Sequence, residues 1–192
     1  MSFANLIDPF RPTHSAPPQT LGAFLRWALT GAWPMLIVAA FFSAAAGVME
    51  AGTAWVLGRV IDGAVDNGPE VFFSAANLGL ILGASAFFLL LRPVLFGMSA
   101  IANAMILQPN VPPLVLAKLN RWTLGQSVTF FDDDFAGRIA QKQMQTANSI
   151  GSVVADFISA IVFALASLVG SVALLGVVNP WVGIPFVAWL AV

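Results

Sequence analysis

Thirty-six consecutive residues, from Phe157 to Val192, carry no charge. Three more bare runs precede them: 23 residues between Arg26 and Glu50, 21 between Glu70 and Arg92, and 25 between Arg92 and Lys118. A helix needs about 20 predominantly apolar residues to cross roughly 30 Å of hydrocarbon. Each run is long enough. Composition points the same way, with 59% hydrophobic residues, 9% charged and a mean hydropathy of +0.88. Soluble domains carry about 25% charged residues, and disordered chains are poor in apolar ones. The chain therefore reads as an all-α integral membrane protein. A net charge of −1 leaves no basic footprint for nucleic acid. The absence of cysteine excludes disulfides, thiolate chemistry and cysteine metal sites. His14, alone in a Pro-rich tail, cannot make a metal site by itself.

The last run is interrupted by Asn179-Pro180-Trp181, where the proline disfavours helix at the preceding residue. It therefore divides into a complete span near 157–178 and the beginning of another. Val192 offers no glycine cap, no cation and no polar tail, so the expectation is a fragment cut within a fourth span. A signal peptide fits the first run poorly. Its h-region would be about 7–15 residues behind a basic segment, whereas this run is longer and follows a tail holding Asp8 as well as Arg11. Residues 1–19, with four prolines, read as a disordered tail. Thr20 is placed to cap a helix over 20–31. Leu21, Phe24, Leu25, Ala28 and Leu29 make one apolar stripe there, with Arg26 opposite and Trp27 beside it. That pattern suits a helix lying in the membrane interface, and Gly31 and Pro34 predict a break before the first span.

Lysine and arginine placement sets orientation. Arg11 and Arg26 flank the N-terminal side of the first span. Arg59 is outnumbered by Asp62, Asp66 and Glu70 in the first loop, and Lys118, Arg121, Arg138 and Lys142 crowd the second polar stretch. The N-terminus and the 118–142 stretch are thus expected in the cytoplasm.

Between those stretches, residues 71–118 are too long for one crossing. As a continuous helix these 48 residues would extend about 70 Å at 1.5 Å per residue. Two crossings would need a turn near Arg92-Pro93 and would reverse the charge balance. One crossing with a cytoplasmic projection is expected, kinked or interrupted by Pro109, Pro112 and Pro113.

At the projecting end stands Ser127-Val128-Thr129-Phe130-Phe131-Asp132-Asp133-Asp134-Phe135-Ala136-Gly137-Arg138-Ile139. The three acids suit the first turn of a short helix and Gly137 its end. A metal cluster is the rival reading of the acids, but adjacent helical residues do not converge on one point. Exposed aromatic rings beside them favour a docking surface.

This stretch, continuing through Gln141-Lys142-Gln143-Met144-Gln145-Thr146, resembles the first intracellular loop of ABC exporters: a Phe-Phe pair, a few polar residues, a Gly, then a helix returning to the membrane. Gly58-Arg59-Val60-Ile61-Asp62 is similar to the family's small-basic-apolar-apolar-Asp signature after the first span. The Val111-Pro112-Pro113 segment departs from the family's helix-compatible residues, and six spans would be expected. The resemblance implies a truncated exporter-type transmembrane helical bundle: elbow helix 20–31, a partial transmembrane domain over 32–192 with its cytoplasmic loop at about 118–146, three full spans and part of a fourth. It implies a permease that moves a lipid-like or drug-like substrate as a nucleotide-binding domain hydrolyses ATP, in a bacterial inner membrane. Phe130, Phe131, Asp132, Asp133, Asp134, Phe135, Gly137 and Arg138 would couple to that domain, the rings as anchors and the charges as rim. No Gly precedes a Lys anywhere, so the chain has no phosphate loop. It would hold no cofactor itself; ATP and Mg would belong to the ATPase domain, and a second transmembrane domain would complete a homo- or heterodimer.

Glu50 and Arg92 fall inside apolar runs. Such charges are costly and face a cavity or partner; these two either pair across helices, snorkel, or line a substrate path. Gly79-x-x-x-Gly83 and Ala166-x-x-x-Gly170 fit close helix packing. Different readings are a non-transporting scaffold or anchor, and a fragment of a secondary transporter. The scaffold leaves the overlong helix unexplained, and the transporter should show inverted repeats of broken helices.

Overall fold

A computed structural model describes residues 7–8, 15–132, 136–178 and 181. Its described elements are all helices, with no strand among them. α1 spans Leu21–Ala28, α2 Trp33–Phe72, α3 Ala75–Leu124, α4 Val128–Asp132 and α5 residues 136–178. Among the described residues, three segments are long and apolar enough to cross a membrane: Trp33–Asp66, Ala75–Leu124 and Gly137–Val177. These are the three full spans the bare runs imply. The fourth span expected after Asn179 lies outside the described residues.

α1 begins as expected at Thr20, whose backbone is extended and whose carbonyl accepts the Phe24 N–H at 2.8 Å. The Thr20 side chain makes no cap bond. Gly31, at φ 101°, supplies the left-handed backbone that separates α1 from α2. The break is where the sequence puts it.

The polar stretch after the first span corrects an expectation. Arg59, Asp62 and Asp66 lie on α2 rather than in a loop, and the helix is bent only at Gly68, φ 71°. Arg59 stacks its guanidinium over Trp55, 5.5 Å from the ring centre. The turn into α3 comes at 73–74, closed by Ser74 N–H to Val71 O at 3.1 Å and by Asn77 Nδ2, which donates to the same carbonyl.

Of the kink or interruption expected at the proline cluster, the interruption is absent: α3 runs on as helix. Pro112 and Pro113 sit within helix, directly after a π-helical stretch over Ala102–Leu107. A wider turn relaxes the register that a proline ring would otherwise clash with. Buried Asn110 donates from Nδ2 to Ile106 O at 2.8 Å.

The helices pack as two compact units, Met1–Ala39 with Ala100–Ser159 and Ala40–Ser99 with Ala160–Val192. In the first, Val111, Leu114 and Val115 of α3 are completely buried, in one cluster with Ala28, Leu29 and Leu36 and with Ala147, Ile150 and Val154 of α5. Pro112 presses on Gly151: a Cβ there would stand 2.6 Å from the proline Cγ. The chain's N-terminal segment joins this core at Ile7, which is buried, and at Ser15, which accepts from Trp27 Nε1 through its Oγ at 3.0 Å.

In the second unit, α2 meets α5 through small residues. Gly47 lies against Phe163 O and Ala166, and a Cβ at Gly170 would stand 3.2 Å from that of Ala51. The Ala166–Gly170 spacing is thus a packing motif. Among the described residues, no atom outside their own stretch of helix lies within 4 Å of where a Cβ at Gly79 or Gly83 would be.

Candidate functional site

α4 follows directly on the end of α3. α3 closes with Gly125 N–H on Trp122 O and Gln126 N–H on Thr123 O, at 3.2 and 3.0 Å. The Gln126 side chain also donates to Trp122 O at 3.0 Å. After Ser127 the chain turns at once into α4, and Ser127 O accepts the Phe130 N–H at 3.1 Å. The described short helix covers Val128–Asp132 and so begins four residues before Asp132, where the acids suggest its first turn. Gly137 lies on α5. Asp133, Asp134 and Phe135 lie outside the described residues.

The aromatic pair is partly used within the chain. Phe130 sets its ring edge-on to Trp122 at 6.1 Å and to Phe131 at 5.4 Å, and it remains 36% exposed. Phe131 is half-buried; Gly137 and Arg138 are exposed. Behind Phe130 a cleft of about 580 Å³ opens among Phe24, Trp122, Ile139, Lys142 and Gln143. Gln143 Nε2 donates to Thr123 Oγ1 at 2.6 Å, tying the start of α5 to the end of α3. α4 thus carries Phe130 and Phe131 beside the joined ends of α3 and α5.

Sequence reasoning missed Lys118. It is only 3% exposed, and its ammonium donates to Trp27 O, Ala28 O and Thr30 O at 3.0, 3.1 and 2.6 Å. The signal was available: Val111, Leu114, Val115 and Lys118 form one i, i+3, i+4, i+7 stripe, so the lysine shares the buried face of α3.

The intramembrane charges do meet. Arg92 Nη2 lies 3.2 Å from Glu50 Oε1, and the guanidinium also covers the Phe96 ring at 5.5 Å. Phe96 in turn meets Phe163 edge-on at 6.3 Å. The pair thereby links α2, α3 and α5. Among the described residues, no three His, Asp or Glu side chains gather to hold a metal ion.

A family model, described as ABC transporter transmembrane region, matches residues 36–192. The chain belongs to the ABC transporter transmembrane family. It is a multi-pass membrane protein of that family, with the helical architecture its bare runs predict. A curated relative from Haemophilus influenzae, named as an uncharacterized ABC transporter ATP-binding protein, is 29% identical over 190 residues. That alignment covers 98% of this chain and 30% of the relative. The chain thus spans less than a third of the relative's length. No solved structure gives a significant match.

Proposed function

We propose that the chain is the permease part of an ATP-driven exporter, with α4 as the element that receives motion from a nucleotide-binding domain. One observation carries this reading. Two helices, of 50 and 41 membrane-competent residues, each exceed the roughly 20 needed to cross, and they are joined at one end by a braced tip bearing Phe130 and Phe131. A helix surplus of that size supports a tip outside the hydrocarbon. Rings there gain most by filling a pocket on another protein. The name of the Haemophilus influenzae relative supports an ATP-binding domain as that protein, on the same polypeptide or another chain. ATP and Mg would act in that domain.

In this reading the N-terminus and α4 are cytoplasmic, the membrane is the cell membrane, and a second transmembrane domain completes the transporter. Phe130 and Phe131 anchor; Asp132, Asp133, Asp134 and Arg138 rim the contact, with Phe135 and Gly137 completing the connection to α5. Glu50 and Arg92, about a third exposed within apolar helices, face the transport path or the partner domain, since charge turned toward lipid is costly. The cargo is lipid-like or drug-like.

Photocross-linking tests the docking. A photoreactive residue at Val128, which is exposed on α4, should trap the ATP-binding domain in the complete transporter, whereas one at Val177 should not. Trapping of lipid or substrate at both positions would overturn the assignment.

A further inference from the structure

Lys118 makes an unusual set of contacts for a lysine on a membrane helix. Its ammonium donates to three main-chain carbonyls at and just beyond the end of α1: Trp27 O, Ala28 O and Thr30 O. An ammonium has three protons to give. Trp27 and Ala28 lie in the last turn of α1 and Thr30 lies two residues beyond it, where helix carbonyls are short of intrahelical donors and the macrodipole favours a cation. Trp27 adds its ring face at 5.8 Å from Nζ. The residue is therefore a C-terminal cap supplied to α1 by a different helix, 90 residues further along the chain.

Its position on α3 gives the cap a mechanical meaning. One turn beyond Lys118 is Trp122, the ring on which Phe130 of α4 rests. The neighbouring Thr123 receives the bond from Gln143 of α5. On the α1 side, Trp27 holds Ser15 through its indole N–H, to Ser15 O at 3.2 Å and to Oγ at 3.0 Å.

We infer that Lys118 is a positioning residue that latches the elbow helix α1, with the segment at Ser15, onto the coupling end of α3, so that elbow and tip move as one body. The elbow is then part of the moving element rather than a passive float in the interface. This inference rests on the reading of α4 as the coupling element only for its consequence; the latch itself is a matter of geometry.

The chain has no cysteine, so spin labels can be placed at Gly22, which is open on α1, and at Val128 on α4. In the complete transporter, with cysteines elsewhere replaced, the Gly22–Val128 distance should be single, narrow and equal in nucleotide-free and ATP-trapped states. Lys118→Met should broaden it and raise the ATP hydrolysed per substrate moved. Lys118→Gln, which keeps donors, should fall between and guards against failure of the first variant to fold. A wild-type distance that shifts by about one helix turn, roughly 5 Å, would overturn the inference, as would an unbroadened distance in a folded Lys118→Met protein. If α4 proves to dock nothing, the distances still decide the latch.

Discussion

Arg92 Nη2 and Glu50 Oε1 stand 3.2 Å apart on α3 and α2, each side chain about a third exposed. Both lie in stretches otherwise free of charge, so each needs the other more than a surface pair would. Losing one partner of a buried pair costs about 3–5 kcal/mol, and partial exposure brings that down to about 1–2 kcal/mol here. Arg92→Met and Glu50→Gln should each lower thermal stability in detergent or nanodiscs. The double variant should recover much of the loss, because no lone charge remains. Additive losses in the double variant would refute the pairing.

The contact of Pro112 with Gly151 gives a second outcome. Gly151→Ala should cost about 1–3 kcal/mol through overpacking, because the new methyl would meet the proline ring. Pro112→Ala should relieve most of that penalty. An equal cost in both backgrounds would mean that this contact does not set the spacing of α3 and α5.

Much of this architecture was legible because charge is so scarce. Runs without Lys, Arg, Asp or Glu located the three spans, and Gly31 with Pro34 located the elbow break. What composition does not specify is which face of one helix meets which face of another. Gly79-x-x-x-Gly83 meets no neighbour among the described residues, while Ser43-x-x-x-Gly47-x-x-x-Ala51 and Ala147-x-x-x-Gly151-x-x-x-Ala155, patterns of the same kind, hold glycines in close contacts. Proline rules gave a kinked or interrupted α3; it runs on as helix, with a π-helical stretch before the rings and the Gly151 contact beside Pro112. In the candidate site the Phe pair was visible; its support by Trp122 was not, because residues eight apart on either side of a turn carry no fixed geometry. Lys118 was counted as a polar-loop cation although its stripe placed it in the core.

Orientation has its own test. A reporter fused after Gly68 should be periplasmic and one after Gly125 cytoplasmic, following the lysine and arginine count. The opposite pattern would contradict a single crossing by α3.

The acids should matter less than the rings. Asp-to-Asn changes at 132–134 remove charges that salt screens at a protein surface. Transport by the triple variant should therefore stay within a few-fold of the unaltered protein at physiological ionic strength. A loss as deep as that from removing the rings would move the essential chemistry from the aromatics to the acids.

Transport, ATP hydrolysis and substrate binding, measured together on one purified variant of the complete transporter, test the coupling role of α4 most directly. Phe130→Ala with Phe131→Ala removes two aromatic anchors, each worth about 2 kcal/mol or more at an interface, enough to weaken docking 10-fold or more. Export and substrate-stimulated ATP hydrolysis should be lost, while substrate affinity stays nearly unchanged. Normal coupling in that variant, or a large loss of substrate affinity, would contradict the account.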